Sequence, residues 1–591
     1  MRIRTLFLSM VAGLAFVGCS SEEDIAPGNN GELSEPQFLT VNLVTNPTNG
    51  TRATRAGGDQ HTGNPNGAIY EEGLEAENKV TKVRFYFFDA DGNAAKVKRN
   101  GSEWVNYLEW KNNVTEEEDN NMPNVEKILT AQLIIETPKE DKLPDKIVAI
   151  INPMTVDPNP ERSLASLIGV THDAKTAITS GNFLMSNSTY AKDNVKQMAV
   201  SAVGKIKKTP GEALNDPVDI YVERAVAKVR LNSSLTPVGG TENIFKTSDD
   251  GSQKVELDEA TGEQEIYVKF LGWNATAVSN KSRLVKEINP NWSPTLFGSG
   301  GTPWNWAEYC RCFWAINAES IVYEYGAFVP NGESGQIEDN KFQAQAKKKF
   351  DGTDWVYVNE NASPYVSDIT TSEGNSASTP TKVIISAQLV DKDGNALEFA
   401  EYGATRTTID GLKKIFANSC GLYKKVEVEG ETKFVKITPE ELTVKTATEV
   451  GETSDQNGKP DIEKPGRYKS YVQLATDEDS KWYASNTEDA QPLTANEANA
   501  QLQGLGSAKV WKDGHTYYYF EIRHFGDKIG VVRNHIYDAT ITKLAGLGTP
   551  VYDPDEIIYP EKPEEGEESF IAARINILSW RVVKNDVELN W

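Results

Sequence analysis

The side chains that most often perform chemistry lack, in this chain, the spacing that catalysis or metal binding requires. No two His residues form a His-x-x-x-His pair, and none has a Cys/His spacing of the zinc type; they are His61, His172, His515, His524 and His535. The sequence also contains no Gly-x-Ser-x-Gly elbow, no phosphate-binding glycine loop and no dinucleotide fingerprint. A lone His on a predicted strand, such as His524 or His535, is most often a packing residue. We therefore predict no enzymatic activity, no metal and no cofactor.

Paired carboxylates are the second candidate chemistry. The pattern Asp-x-Asp-Gly-Asn occurs at 89–93 and at 391–395, but a calcium-binding EF-hand loop needs a different spacing and a Glu six residues further on. Both segments are therefore predicted to be turns between strands, and VIISAQLVDKDGNALEF at 383–399 a hairpin. A glycosidase that uses two carboxylates remains an alternative, and no spacing in the sequence indicates one.

Cysteines and aromatic residues give two further candidates. Cys310, Cys312 and Cys420 do not form a disulfide framework, and a bond between the first two would be strained because they are only two residues apart. We predict buried free thiols. The Trp-rich segment 303–315 favours packing in a core, with sugar stacking as the alternative.

The amino terminus has the pattern of a secretory signal peptide. Arg2 and Arg4 precede an apolar run, 6–17, which is too short to span a membrane. Gly18 and Cys19 follow, so the segment resembles a bacterial lipoprotein signal, in which Cys19 would be lipidated. An ordinary cleaved signal peptide with an incidental Cys is the alternative. The formal net charge of -25 argues against nucleic acid as a partner.

Strand patterns dominate the rest of the 591 residues, which exceed what one hydrophobic core usually supports. Alternating apolar residues predict strands in segments such as 37–45, 80–88, 145–153, 221–232, 517–526 and 534–544. Only 163–168 and 408–418 have a helical pattern, and 235–265 and 445–465 are predicted to be polar loops. The fold class is therefore mainly β, in two sandwich-like domains with few short helices.

Several segments spread over both halves of the chain carry a family resemblance. They are NFLMSNSTY at 182–190, YVERAVAKVRLN at 221–232, AQLVDKDGNALEFAEY at 387–402, GVVRNHIYDATITKLAGLGTPVYDP at 530–554 and IAARINILSWRVVKNDVEL at 571–589. The chain resembles the fimbrilins that polymerise into type V pili, specifically the major-subunit fimbrilins of the short-fimbria type. This resemblance implies two transthyretin-like β-sandwich domains in tandem and a lipoprotein precursor of the outer membrane.

The resemblance also implies a proteolytic trigger. An Arg-specific trypsin-like protease would cut after Arg55, or after Arg52, in the Gly- and Asn-rich loop 46–67. The cut would remove the first strand, whose side chains include Phe38, Leu39, Val41, Leu43 and Val44.

The implied replacement is a donor strand from a second copy, added by β-strand addition. The apolar residues of the carboxy-terminal strand are the predicted donors: Ile575, Ile577, Leu578, Trp580, Val582, Val583, Val587 and Leu589. The partners would be copies of the chain in a head-to-tail filament, together with anchor and tip subunits. The predicted organisation is a lipoprotein signal peptide over 1–18, a tether and removable strand over 19–55, and sandwich domains over 56–232 and 233–591.

Two functions are thus in competition. The first is a polymerising structural subunit of a cell-surface fimbria that supports adhesion. The second is a non-polymerising surface lipoprotein that acts as a fimbrial tip or anchor or binds glycans. A complete carboxy-terminal strand and an Arg in the loop favour the first.

Overall fold

The structure is a computed structural model that describes twenty-five segments of the chain. They are 36–45, 74–99, 103–111, 127–139, 141–153, 162–179, 182–188, 190–192, 195–197, 199–247, 253–258, 262–287, 315, 318, 322–331, 334–339, 348–361, 380–458, 461, 464–476, 481–522, 530–555, 557–560, 570–578 and 583–585.

The strands of the first half, in chain order, are β1 Gln37–Thr45, β2 Lys82–Phe88, β3 Val97–Arg99, β4 Glu103–Val105, β5 Tyr107–Lys111, β6 Lys127–Ile135, β7 Lys146–Ile151, β8 Thr171–Asp173, β9 Ile178–Thr179, β10 Asn182–Phe183, β11 Met185–Asn187, β12 Tyr190–Lys192, β13 Val195–Gln197, β14 Val200–Ser201 and β15 Val218–Arg224.

The remaining strands are β16 Ala227–Ser233, β17 Ile244–Lys246, β18 Lys254–Asp258, β19 Gly262–Glu265, β20 Tyr267–Val278, β21 Lys281–Arg283, β22 Val322–Asn331, β23 Ser334–Asp339, β24 Asp351–Val358, β25 Lys382–Val390, β26 Phe399–Tyr402, β27 Thr405–Thr407, β28 Tyr423–Val428, β29 Glu431–Lys436, β30 Leu442–Thr446, β31 Lys469–Leu474, β32 Trp482–Tyr483, β33 Pro492–Leu493, β34 Ala508–Trp511, β35 His515–Glu521, β36 Ile536–Ala545, β37 Thr549–Pro550, β38 Phe570–Leu578 and β39 Val583–Asn585.

Helices are few and short. The α-helices are α1 Glu75–Asn78, α2 Leu164–Ile168, α3 Pro210–Asn215, α4 Ile409–Ser419 and α5 Ala495–Gln503, and 3-10 turns occur at Ala174–Ala177, Pro439–Glu441 and Lys512–Gly514. None of these described helices is long and apolar enough to cross a membrane.

Two large sheets organise the described chain. The first has the order β5-β2-β7-β11-β15-β1-β6, with β14 beside β7. The second has the order β37-β35-β25-β20-β22-β24-β16-β36-β38-β39, with β17 paired to β20 and β23 paired to β22. Buried side chains of both sheets belong to one contiguous hydrophobic cluster. The predicted fold class, mainly β with few short helices, is confirmed, while the domain boundary at 232 stays a prediction.

A two-residue connection joins the last strand of the first sheet to the first strand of the second sheet. β15 ends at Arg224, Ala225 and Val226 are buried, and β16 begins at Ala227. The predicted strand 221–232 is therefore two strands, because the short buried crossing interrupts the pairing.

A third unit is inserted between two neighbouring strands of the second sheet. β25 and β35 pair antiparallel, yet more than a hundred residues separate them in sequence. The inserted residues form β26–β34, α4 and α5, and they bury a separate hydrophobic cluster that includes Leu412, Phe416, Trp482 and Leu502. The unit pairs edge to edge with β18 through β27. The sequence analysis did not predict this unit.

The two Asp-x-Asp-Gly-Asn segments form matching turns. Asp89 Oδ1 accepts hydrogen bonds from the backbone N–H groups of Asp91 and Asn93, at 3.0 and 2.8 Å. Asp391 does the same for residues 393 and 395, at 2.9 Å each. The predicted turns are confirmed, but the hairpin at 383–399 was wrong in extent. One isolated bridge, Val390↔Ala396, closes the turn, and β26 then pairs with β34, where Phe399 stacks on Trp511.

The two predicted helices are confirmed, and each begins with a capping side chain. Ser163 Oγ accepts from the N–H of Ser166 at the start of α2, and Thr408 caps α4, which buries Leu412 and Phe416. The predicted loop 235–265 was wrong in part, because it contains β17, which pairs with β20, and β18 and β19, which pair with each other; β18 also pairs with β27.

Candidate functional site

The first strand, which the sequence predicts to be removable, lies inside a sheet rather than at its edge. All nine residues of β1 pair antiparallel with β6, from Gln37↔Ile135 to Thr45↔Lys127. Residues 41–45 also pair parallel with 218–222 of β15. Among the described strands, β6 is joined to the sheet only through β1. Removing β1 would therefore open a groove with two walls, which expose the backbone groups of β15 and β6.

One face of β1 belongs to the hydrophobic core. Leu39 and Val41 are fully buried, Leu43 is 1% exposed, and Phe38 is half-buried. The three fully buried side chains alternate, as the period of a strand requires, and they are members of the main cluster. Burying them is worth about 1.5–3 kcal/mol each, so the groove without β1 would leave a large apolar surface in water. Val44 lies in the same strand, as predicted.

The opposite face of β1 is polar. The Asn42 side-chain amide donates to Asp219 Oδ1 at 3.0 Å and accepts from Thr130 Oγ1 at 2.9 Å, so that it joins both walls. Thr40 is fully buried on this side, where α3 packs against β1. Gln132 of β6 donates to the Pro210 carbonyl of α3 at 3.1 Å. This face therefore holds β1 by a few polar contacts.

The carboxy-terminal strand predicted as a single donor is, in the structure, two antiparallel strands. β38 pairs along its whole length with β36, from Phe570↔Ala545 to Leu578↔Ile536, and β39 folds back on it, with Ile577 opposite Val583. Of the predicted donor residues, Ile575, Ile577, Leu578 and Val583 thus lie in the second sheet. Trp580, Val582, Val587 and Leu589 lie outside the described residues.

The other predicted site residues also lie outside the described residues. They are Cys19, Arg52 and Arg55, together with Cys310, Cys312, His61, His524 and the Trp-rich segment except Ala315. Cys420 is a buried free thiol, and burial raises its pKa. His535 is fully buried and its Nδ1 lies 2.8 Å from the Arg533 carbonyl, as expected of a packing residue.

Buried charges surround the crossing between the two sheets. Lys228 Nζ lies 2.8 Å from Glu77 Oε1, and both side chains are almost fully buried. Burial opposes the ionisation of Glu77, but the charges of Lys228 and Arg224 prevail and lower its pKa. Since Glu77 precedes β2 and Lys228 lies on β16, this ion pair connects the first half of the chain to the second sheet.

A second group of buried charges lies on the other side of the crossing. Lys286 Nζ is 2.9 Å from Glu223 Oε1, and both are fully buried; burial raises the pKa of Glu223. Arg533 reaches Glu360 Oε2 at 2.7 Å. Sequence reasoning missed these pairs because their partners are up to 173 positions apart and single charges inside apolar strands have no periodic signal.

Within the described residues, no group of His, Cys, Asp or Glu could hold a metal ion.

Comparison with known proteins relates one region of the chain to a protein family. Residues 509–586 match the family model of the fimbrillin C-terminal region, described as major fimbrial subunit protein type IV. No curated protein matches the sequence significantly.

Three solved structures show distant likeness. The fimbrilin FimA of Porphyromonas gingivalis W83 is 13% identical, with 93% of this chain and 98% of that chain covered and a TM-score of 0.35. The tip fimbrial protein Mfa3 of Porphyromonas gingivalis is 12% identical, covering 92% and 100%, with a TM-score of 0.27. A fimbrial assembly protein of Parabacteroides distasonis ATCC 8503 is 9% identical, covering 61% and 100%, with a TM-score of 0.23.

The matched range contains the strands that complete the second sheet, β35 to β39. It also includes residues 509–511 of β34. Fimbrillins are structural proteins of the cell surface, in agreement with the prediction that this chain is not an enzyme. Over residues 509–586, the chain is similar to the carboxy-terminal region of the fimbrillin family of major fimbrial subunits.

Proposed function

We propose that the protein is a major fimbrial subunit that polymerises by protease-triggered exchange of its first strand. The observation that carries this proposal is the position of β1, whose side chains Leu39, Val41 and Leu43 are buried between two walls of the first sheet. While β1 fills the groove, a second copy cannot enter it. Once β1 is released, the groove offers apolar surface and two rows of unpaired backbone groups.

The precursor would be an exported lipoprotein. In this proposal Cys19 carries the lipid and attaches the chain to the outer membrane, and an Arg-specific trypsin-like protease cuts after Arg55, or after Arg52. The described part of β1 ends at Thr45 and the chain is described again from Leu74, so the proposed cut falls between these residues. The cut would separate β1 from every other strand of its sheet.

The energetic drive is the refilling of the groove. Three buried side chains at about 1.5–3 kcal/mol each, and backbone hydrogen bonds at about 1 kcal/mol net each, favour any strand that restores both ladders. That strand must run in the direction of β1, because β15 pairs parallel with it and β6 antiparallel. This requirement makes the groove selective for strand direction as well as for side chains.

A carboxy-terminal segment of a second copy is the proposed donor. The described strands of the second sheet end with β38 and β39 at its edge, and residues 586–591 follow them in the sequence. Since the groove belongs to the first sheet and the donor follows the second, the contact joins different surfaces of two copies. A head-to-tail contact of this kind does not close and builds a filament.

Anchor and tip subunits would terminate such a filament. A tip protein, as the name of Mfa3 indicates for that chain, has no copy beyond it, and an anchor would retain its first strand and its lipid. The alternative for this chain, a tip or anchor lipoprotein or a glycan-binding protein, predicts a surface-purified protein that still begins at lipidated Cys19. The polymerising subunit predicts a mature chain that begins at Ala56.

The decisive experiment removes the proposed cleavage sites. The double variant Arg52→Ala/Arg55→Ala should remain a folded, membrane-attached monomer, because β1 cannot leave the groove. Electron microscopy and size-exclusion chromatography of surface-extracted protein measure filament formation. A matched control is Arg99→Ala, which changes an Arg of the first half that lies outside the loop.

The outcomes separate the two functions. Filaments from the control and none from the double variant support the polymerising subunit. Normal filaments from the double variant would contradict the proteolytic trigger. Wild-type protein that starts at Cys19 and never forms filaments would favour the tip, anchor or glycan-binding alternative.

A further inference from the structure

The groove around β1 makes a specific demand on any strand that fills it. Along 39–43, positions 39, 41 and 43 face the core and are apolar, and position 42 faces outward between the walls. At that outward position the side-chain amide of Asn42 donates to a carboxylate, Asp219, and accepts from a hydroxyl, Thr130. An amide side chain offers both a donor and an acceptor, so Asn at this position satisfies both walls.

The end of the sequence repeats this order of residue types. Leu39-Thr40-Val41-Asn42-Leu43 reads apolar, polar, apolar, Asn, apolar, and Val587-Glu588-Leu589-Asn590-Trp591 reads the same. We infer that, in the strand exchange proposed above, residues 587–591 of a second copy occupy the positions of residues 39–43. The inference rests on the proposed function and specifies which part of the carboxy-terminal region is the donor and in which register.

A competing segment lies earlier in the carboxy-terminal region. Ile575-Asn576-Ile577-Leu578-Ser579 resembles Val41-Asn42-Leu43-Val44-Thr45 at five successive positions. However, 575–578 already pair with β36, and the matched family segment, which ends at 586, includes them. Using them as donor would break the ladder that holds β38 in its own sheet. The described pairing ends at Asn585, so residues 587–591 break none of it.

A second competing register fails on volume. If 578–582 took the positions of 39–43, Trp580 would replace Val41, which is fully buried in the middle of the strand. Forcing an indole into that space would require the surrounding core to move. In the inferred register the only Trp, at 591, falls at the position of Leu43. Leu43 is larger than Val41, so an indole at its position enlarges the buried side chain by less.

The outward face also accommodates the inferred register. Asn590 would donate to Asp219 and accept from Thr130, as Asn42 does. Glu588 would take the position of Thr40, on the side covered by α3. The backbone groups of Phe38 and Lys207 hydrogen-bond to each other at 2.8 Å, and the Lys207 ammonium pairs with Asp216 at the end of that helix.

Disulfide trapping tests the register directly. Thr130 lies opposite Asn42 in the antiparallel ladder, so a Cys at 130 should meet a Cys at the donor position that replaces Asn42. Thr130→Cys is combined in separate proteins with Asn590→Cys, Asn576→Cys or Arg581→Cys, in a Cys310→Ser/Cys312→Ser background. Leu589→Cys with Thr130→Cys is the matched control, because residue 589 faces the other side of the sheet.

Only one combination should give crosslinked filaments. Thr130→Cys with Asn590→Cys is expected to yield a thiol-sensitive ladder of multimers on non-reducing gels, and the three other combinations monomers. A ladder with Asn576→Cys or Arg581→Cys, or filaments without any ladder, would overturn the register and leave the proposed function intact. Failure of cleaved wild-type protein to form filaments would instead contradict the proposed function.

A charge exchange gives a second measurement that does not depend on crosslinking. Asn590→Asp places a carboxylate beside Asp219 and should slow filament growth at least about tenfold, because the two like charges repel at close range. Asp219→Asn in the same protein should restore growth. An unchanged rate for Asn590→Asp, with normal filaments, would contradict the proposed contact.

Discussion

The two large sheets begin with strands in equivalent positions that are held in different ways. β1 pairs parallel with β15, the last strand of the first sheet, and antiparallel with β6. β16 pairs parallel with β36, a late strand of the second sheet, and antiparallel with β24. The correspondence extends to side chains: Leu39, Val41 and Leu43 match Ala227, Val229 and Leu231, and all six are buried.

The outward faces of these two strands differ. Asn42 lies opposite Asp219, and Arg230 lies opposite Asp538 in the same register. The first pair shares one hydrogen bond of 3.0 Å, whereas Arg230 holds its Asp through two nitrogens, Nε and Nη2, each at 3.0 Å. A charged, two-point contact is stronger than an amide–carboxylate bond.

The preceding position differs in the same sense. Thr40 is buried with a hydroxyl that has no hydrogen-bond partner in the described part of the chain, whereas Lys228 forms a buried ion pair with Glu77. Both strands thus bury three apolar side chains on one face, but β1 has the weaker polar attachment. This is the difference expected if, as proposed, β1 leaves its sheet and β16 stays.

The strongest test of this comparison cuts the chain after each strand. A site for a specific protease is introduced at 56–60, after β1, and in another protein at 236–240, after β16. We expect the first nick to allow β1 to leave, because its preceding residues connect it to no other described strand. The second nick should release nothing, since Ala225 and Val226 still join β16 to β15. Size-exclusion chromatography with mass spectrometry measures the release, and loss of a fragment after the second nick would break the comparison.

Matched Leu→Ala substitutions compare how much the buried apolar side chains of β1 and β16 contribute to stability. Leu43→Ala and Leu231→Ala should each lower the free energy of unfolding of the uncleaved protein by about 2–5 kcal/mol, because each removes a fully buried side chain. After cleavage and exchange, Leu43 has left, so only Leu231→Ala should still destabilise the subunit. Denaturant unfolding of precursor and filament measures both effects. An equal loss from Leu43→Ala in the filament would show that β1 stays.

A pH titration of stability tests the buried charges around Arg533, which interacts with His172, separately from the groove. Burial, and after it the charge of Arg533, lower the pKa of His172 to about 4 from 6.5. The unfolded chain therefore takes up this proton as the pH falls through 6.5, while the folded chain resists until about 4. The free energy of unfolding should fall over this window by up to about 3 kcal/mol.

The variant His172→Gln isolates this contribution from that of Glu223, whose raised pKa acts in the opposite direction as the pH falls. The stability difference between wild type and variant should change between pH 6.5 and pH 4. Release of β1 after cleavage should not follow this difference. Parallel stability curves for the two proteins would refute the role of His172.

The smallest expected effect comes from replacing Asn42 of β1 with Arg, the residue at the corresponding position of β16. Asn42→Arg should form a charged contact with Asp219, as Arg230 does with Asp538. We expect about 1–2 kcal/mol tighter retention, which slows release of the cleaved strand roughly tenfold. Stopped-flow or gel-based release assays measure the rate, and Asn42→Gln serves as a neutral control. A rate equal to that of the control would show that the polar face does not govern release.

Sequence patterns predicted the parts of this fold that depend on local order. The alternation in 37–45, the helical patterns at 163–168 and 408–418 and the Asp-Gly turns all have their cause within a few residues, and the structure has each of them. A further local signal, the Thr494–Glu497 capping box of α5, was present and was not used.

The remaining features depend on distant partners. Nothing near residue 399 indicates that β26 joins β34, more than a hundred residues later, rather than completing a hairpin. The interior position of β1 likewise depends on β15, 177 residues away in the Asn42–Asp219 contact. The cleavage residues came only from the family resemblance, because single loop charges have no partner pattern of their own, whereas Cys19 was predicted from its position directly after the signal-peptide pattern.

The two-residue crossing at Ala225 and Val226 also has a mechanical consequence for the filament proposed above. A strand lying in the groove is aligned with β15, so a pull along the filament shears all of its hydrogen bonds at once instead of opening them one by one. The tension then passes from β15 through the crossing into β16 and its parallel neighbour β36. The buried pairs Glu77–Lys228 and Glu223–Lys286 lie on either side of this covalent path. A filament of such subunits would resist stretching through continuous backbone rather than through a contact between domains.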